Sequence, residues 1–211
     1  MEAHNGLITM EDLSGYEVLE REPVRSTYRG YTIEAMPAPS SGGTHVIQML
    51  NILENFPLAK MGPESSDALH VMAEAMKFSY ADRSKYLGDP DFVEVPTETL
   101  ISKAYAKDLA KRISMERALS SDQVEPGNLA IYESDETTHY SVVDDEGNMV
   151  GNTYTLMFSF GSGVVIEGTG ILMNNNMGNF TLRSDIPDAF GLMGNENNLI
   201  SPNRRPVSSM S

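Results

Sequence analysis

Two adjacent hydroxyls, Thr137 and Thr138, stand in the segment Glu136-Thr137-Thr138-His139-Tyr140-Ser141-Val142-Val143-Asp144, where a polar linker runs into an apolar strand pattern. A Thr freed by cleavage of the peptide bond before it carries a hydroxyl and an α-amine on one residue, so the amine can serve as the base for its own hydroxyl. The unperturbed pKa of such an amine, roughly 7.7 to 8.0, suits that task near neutral pH. The other reading is structural. Both are β-branched residues at the edge of a strand, and such side chains favour extended backbone whatever their chemistry. The residues alone leave both readings open.

Other chemistries find less support. Gly161-Ser162-Gly163 and Gly168-Thr169-Gly170 do not complete a G-x-G-x-x-G turn between strand and helix, and no Gly-Lys-Ser/Thr phosphate loop occurs. The chain has no Cys, which removes disulfides, thiolate metal sites and a Cys nucleophile together. Its four His are widely separated, so no metal site is expected. With 15 Lys+Arg against 30 Asp+Glu in 211 residues, the net charge of −15 argues against nucleic acid, whose phosphates need clustered cations. No apolar stretch approaches the roughly 18 residues of a membrane span, and residues 1–5 lack the basic and apolar regions of a signal peptide. The 14 Met are read as packing, because unbranched thioethers fill gaps in cores.

The elements that would position these residues change character along the chain. Residues 28–36 alternate as a strand, and Pro37 to Gly43 break it. Val46, Met49, Leu50 and Leu53 predict a helix over 44–55. Leu69, Met72, Ala73, Met76 and Tyr80 predict a longer one over 65–86, stopped by Gly88-Asp89-Pro90. Ile101, Tyr105, Leu109 and Ile113 predict a third over 98–113. After Pro126-Gly127 the helical period ends. Strands at 139–144 and 149–156 flank Asp145-Glu146-Gly147-Asn148, a hairpin pattern, and short strands follow at 164–166 and 171–173. From Asn174 onward the composition reads as loop. Helices first and strands afterwards imply an α+β layered fold.

Several separated blocks, in order, resemble the γ-glutamyltranspeptidase family. They are Gly6-Leu7-Ile8-Thr9 with Glu11-Asp12-Leu13, Pro39-Ser40-Ser41-Gly42-Gly43, Asn51-Ile52-Leu53-Glu54-Asn55-Phe56, Tyr80-Ala81-Asp82-Arg83, Leu87-Gly88-Asp89-Pro90-Asp91-Phe92, Thr137 to Asp144, Gly170-Ile171-Leu172, and Arg205-Pro206-Val207-Ser208-Ser209-Met210-Ser211. The resemblance implies a four-layer αββα N-terminal-nucleophile hydrolase fold, present here in part. It implies self-cleavage of the Glu136–Thr137 bond, so that residues 1–136 come from a large, mainly helical subunit and 137–211 open a small subunit of strands and loops. Thr137 would be the nucleophile, and Thr155 the residue that hydrogen-bonds it. Ser208 and Ser209 would hold the α-carboxylate of a small γ-glutamyl substrate such as glutathione, with transfer to water or an amino acid. Residues 183–202 would supply a mobile cover. Members are commonly periplasmic or secreted.

Three positions depart from the family pattern. Met157 stands where Asn is expected, Asn176 where Gln or Glu is usual, and Asn179 replaces the Asp that pairs with the substrate's α-ammonium. Phe190, in place of a common Tyr, and Asn179 are similar to the acylase branch, which takes glutaryl groups lacking that amine. A glutaryl (cephalosporin-type) amide is therefore the alternative substrate. The family's upstream Arg for the carboxylate and downstream Gly-Gly oxyanion hole have no counterpart within residues 1–211. The chain by itself is expected to be inactive, and an inert association module is the non-enzyme alternative.

Overall fold

A computed structural model describes residues 6–120, 123–124, 137–186 and 194–210. Its helical layer is built from α1 (Met10–Gly15), α2 (Gly42–Leu53), α3 (Leu58–Met61), α4 (Ser66–Tyr86), α5 (Thr97–Leu100) and α6 (Lys103–Ala110). Three antiparallel hairpins accompany it: β1 (Val24–Tyr28) with β2 (Tyr31–Ala35), β3 (Thr137–Val143) with β4 (Met149–Thr155), and β5 (Val165–Ile166) with β6 (Ile171–Leu172). The chain is α+β, with helices concentrated before residue 111 and strands dominating after 136.

The two long helices fall within three residues of their expected ends, because their stop signals are local. Ser65 accepts the Ala68 N–H at 3.1 Å and caps α4, whose far end meets Leu87 in extended backbone. The faces differ from expectation. On α4, Leu69 and Met72 are exposed, and the core side is Ala68, Val71, Ala75 and Phe78. On α2, Val46 is exposed, while Ile47, Ile52 and Leu53 are buried. Large apolar residues on both sides of a helix make the stripe ambiguous until a partner helix chooses one. Ile52, Val71, Ala75, Phe78, Ala106 and Leu109 form the main core between α2, α4 and α6.

The third expected helix is two. Its four apolar residues do face inward or partly so, but the backbone breaks at Ile101-Ser102, where the Ser102 hydroxyl accepts the Tyr105 N–H at 3.2 Å and starts α6 afresh. The single strand expected over 28–36 is instead the β1–β2 hairpin, turning through Arg29 (φ 49°) and Gly30 (φ 88°). Two left-handed residues in succession match the right-handed twist of the flanking strands. Helix α2 then starts tightly against this hairpin: a Cβ on Gly43 would lie 2.2 Å from the Met36 carbonyl oxygen, so only glycine fits.

Candidate active site

Asp144 closes the turn between β3 and β4, its carboxylate accepting the Glu146 and Asn148 N–H groups at 3.0 and 2.8 Å. That turn fixes the register of the hairpin, and the register makes Thr137 and Thr155 direct cross-strand partners at its far end. Directly paired positions of an antiparallel ladder share one face of the sheet. The next pair on that face is His139 with Thr153: Nδ1 of His139 lies 2.7 Å from Thr153 Oγ1 and Nε2 lies 3.1 Å from Ser141 Oγ. Beside the turn the same face carries Val143 and Met149, so it is polar only toward its Thr137 end. The opposite face carries Thr138, Tyr140 and Val142 and is largely exposed.

Thr155 leads directly into the next group. Its hydroxyl accepts the Met157 N–H at 3.0 Å, and Met157 sits in left-handed backbone (φ 76°), a strained conformation for an unbranched non-glycine residue. Met157 is buried, only 3% exposed, and its thioether lies under the Asn176–Asn179 turn. A Cβ on Gly178 would come within 2.9 Å of Met157 Cε. The Asn175 N–H donates to the Leu156 carbonyl at 3.1 Å and holds the turn in place. Met157, Asn176 and Asn179, all singled out from sequence, therefore lie together. The Asn176 Oδ1 atom is buried without a hydrogen-bond partner.

Ser208 and Ser209 lie on the segment that pairs with residues 39–41. Ser208 pairs with Ser40 as an isolated parallel bridge; its N–H donates to the Pro39 carbonyl at 3.2 Å and its carbonyl accepts the Ser41 N–H at 2.6 Å. Ser40 in turn donates its hydroxyl to the Met210 carbonyl. The resemblance blocks Pro39 to Gly43 and Arg205 to Met210, far apart in sequence, are neighbours in space. Ser208 is half-buried and Ser209 exposed.

Arg21, Asp89, Asp91 and Asn198 hold this segment, and none of them carried a sequence signal of that role. Asp89, buried, accepts the Arg205 N–H at 2.8 Å and faces Arg21 at 3.9 Å. Arg21 reaches Asp91 at 2.5 Å, and this hydrogen bond holds the Asp91 carboxyl below its usual range. Asn198 donates to the Asn179 carbonyl at 2.8 Å and accepts the Val207 N–H at 3.0 Å. An Asn in an Asn-rich loop carries no sequence signal of such a role. Of the span 183–202 expected to form a cover, residues 194–200 are hydrogen-bonded to the rest of the chain: Asn195 donates to the Ser84 carbonyl at 2.7 Å, and the Ile200 N–H donates to the Thr181 carbonyl at 3.1 Å. Glu136 and Phe190 lie outside the described residues. Among the described residues no group of three or more His, Cys, Asp or Glu converges as a metal centre.

The model of the gamma-glutamyltranspeptidase family matches residues 1–211, the whole chain. The chain belongs to the γ-glutamyltranspeptidase family. It is 54% identical over 211 residues to the glutathione hydrolase proenzyme of Escherichia coli (strain K12), covering all of this chain and 36% of that protein. It is 47% identical over 180 residues to the acylase ACY 1 proenzyme of Pseudomonas sp. (strain SE83), 85% of this chain and 32% of that one. Among solved structures, cephalosporin acylase from Bacillus halodurans is similar over 99% of this chain and 34% of its own, with a TM-score of 0.78 at 32% identity. Helicobacter pylori gamma-glutamyltranspeptidase is similar over 62% of this chain and 37% of its own, with a TM-score of 0.57 at 49% identity. The chain thus spans about a third of the length of the curated γ-glutamyltranspeptidase relatives it matches. Among the described residues no helix is long and apolar enough to cross a membrane.

Proposed function

We propose that the protein carrying this chain is a γ-glutamyl hydrolase and transferase that cuts itself between Glu136 and Thr137 and then uses Thr137 as its nucleophile. The observation that carries the reading is the pairing of Thr137 with Thr155 across β3 and β4, which sets a second hydroxyl residue opposite the proposed new N-terminus. The α-amine accepts the Thr137 hydroxyl proton, the alkoxide attacks the γ-amide carbonyl, and the substrate's C–N bond breaks as the α-amine returns that proton to the departing nitrogen, leaving an acyl-enzyme. Water or an acceptor amine then releases the acyl group. No step calls for a metal or an organic cofactor.

In this reading residues 1–136 belong to a large subunit and 137–211 to a small one, both from one precursor, within a four-layer αββα fold. Ser208 and Ser209 offer hydroxyl donors to the substrate's α-carboxylate, and Asn176 and Asn179 face its α-amine side. The protein acts on small γ-glutamyl compounds such as glutathione in the periplasm or outside the cell. The names of the E. coli and Pseudomonas relatives support the activity.

A second reading, hydrolysis of glutaryl amides, is favoured by the buried apolar Met157 beneath the Asn176–Asn179 turn and by the neutral side chain at Asn179. Rates on γ-glutamyl and glutaryl anilides, measured with the full-length protein, separate the two. A γ-glutamyl preference in kcat/KM supports the first reading, and a glutaryl preference overturns it.

A further inference from the structure

We propose that Asn198 is a positioning residue that locks the Asn176–Asn179 turn to the Ser208-Ser209 segment and thereby sets the spacing of the two walls that read the substrate. The inference rests on the substrate reading given above for Asn179, Ser208 and Ser209. Asn198 is 9% exposed, and its two amide atoms bond to different segments of the chain. Nδ2 donates to the Asn179 carbonyl at 2.8 Å, and Oδ1 accepts from the Val207 N–H, one residue before Ser208, at 3.0 Å.

The chemistry of the partners leaves little choice of side chain. A carbonyl only accepts and an N–H only donates, so the bridging group needs a donor and an acceptor a fixed distance apart, which is what a carboxamide offers. Asp would keep the Val207 bond and set an acceptor against the Asn179 carbonyl. Ser would reach neither partner. The backbone of Asn198 is itself held, since its carbonyl accepts the Thr181 N–H at 2.9 Å and its N–H donates to the Asn195 carbonyl at 3.2 Å. The far side of the Ser208 segment is fixed by Pro39 and Ser41. Asn198 is therefore a rigid spacer between Asn179 and Ser208, and an error in that spacing misplaces groups that must engage one substrate at once.

The test uses Asn198→Asp and Asn198→Ser in the full-length, self-processed protein, with kcat and KM measured on γ-glutamyl and glutaryl anilides beside thermal melts. For Asn198→Asp the expected result is a KM for the γ-glutamyl anilide raised by about fivefold or more, the factor a lost neutral hydrogen bond carries. The expected kcat stays within about twofold, because the reacting atoms are untouched. The rise should be smaller on the glutaryl anilide, which has no amine to be read at Asn179, whereas Asn198→Ser should raise KM on both. An unchanged KM in folded variants, kcat falling in step with thermal stability, or failure of both variants to fold would each overturn the proposal. Ser208→Ala and Asn179→Ala are measured alongside. If they raise KM and the Asn198 variants do not, the substrate reading stands and the lock alone fails. If they leave KM unchanged, the substrate reading fails and takes the lock with it.

Discussion

Thr137 and Thr155 occupy opposed positions at the open end of the β3–β4 ladder, with His139 and Thr153 as the next pair on the same face. If Thr137 is the nucleophile, the intact mass of the full-length protein resolves into two species meeting at Glu136/Thr137. Thr137→Ala leaves one uncut species and loses at least about a thousandfold in activity, since nothing else supplies the nucleophile. Thr155→Val keeps the β-branched shape, removes the hydroxyl, and slows self-cleavage by about fivefold, the effect of one neutral hydrogen bond. A cut Thr137→Ala protein would sink the assignment.

Restoring charge at position 179 tests substrate choice. Asn179→Asp offers a carboxylate to an α-ammonium, and a charge-assisted hydrogen bond is worth about 1.5 kcal/mol or more, close to tenfold in kcat/KM. The γ-glutamyl to glutaryl ratio of kcat/KM should rise by about that factor. A ratio that falls or stays constant would show that position 179 does not face the amine.

Two glycines near the site separate a hard contact from a soft one. A Cβ on Gly88 would meet the Asn197 carbonyl oxygen at 2.5 Å, and one on Gly178 would meet the tip of Met157 at 2.9 Å. Gly88→Ala should cost roughly 1–3 kcal/mol, as overpacking against fixed backbone does, and should loosen the segment leading to Ser208. Gly178→Ala should cost under about 1 kcal/mol, because an unbranched thioether can swing aside. Thermal melts of both variants check the order.

His45 gives the protein an acid-labile element. Burial first, and the nearby Arg83 guanidinium second, push its imidazole down to about 3. The unfolded chain therefore binds a proton near pH 6.5 that the folded chain refuses, so this contribution is whole above pH 6.5 and is lost as pH falls toward 3. The slope approaches about 1.4 kcal/mol per pH unit in that window. Asp82 acts oppositely: burial raises its pKa, so the folded state holds its proton longer, and its effect falls away as pH rises above the carboxylate range. Chemical unfolding of wild type and His45→Gln between pH 4 and 7 should show a flatter profile for the variant. Parallel profiles would exclude His45 as the cause.

Much of this was legible because it is local. Ser65 as a cap and Gly88-Asp89-Pro90 as a stop bound α4, and the Asp144 to Asn148 turn sets the hairpin in which Thr137 and Thr155 meet. The buried faces were not legible in the same way. Leu69 and Met72 outweigh Val71 and Ala75 in apolar size, yet α2 and α6 cover the latter pair.

By itself the sequence determined the family, the turn that pairs Thr137 with Thr155, and the residue types that depart from the family pattern at Met157, Asn176 and Asn179. Only the tertiary structure decided that Asn198 spans Asn179 and Val207, that Asp89 holds Arg205, and that Ser208 lies beside Ser40. The physical reason is range. Caps and hairpin turns satisfy backbone groups a few residues apart and leave a pattern, whereas a buried carboxamide satisfies backbone groups on segments brought together by packing, and its partners cannot be read from its neighbours in sequence.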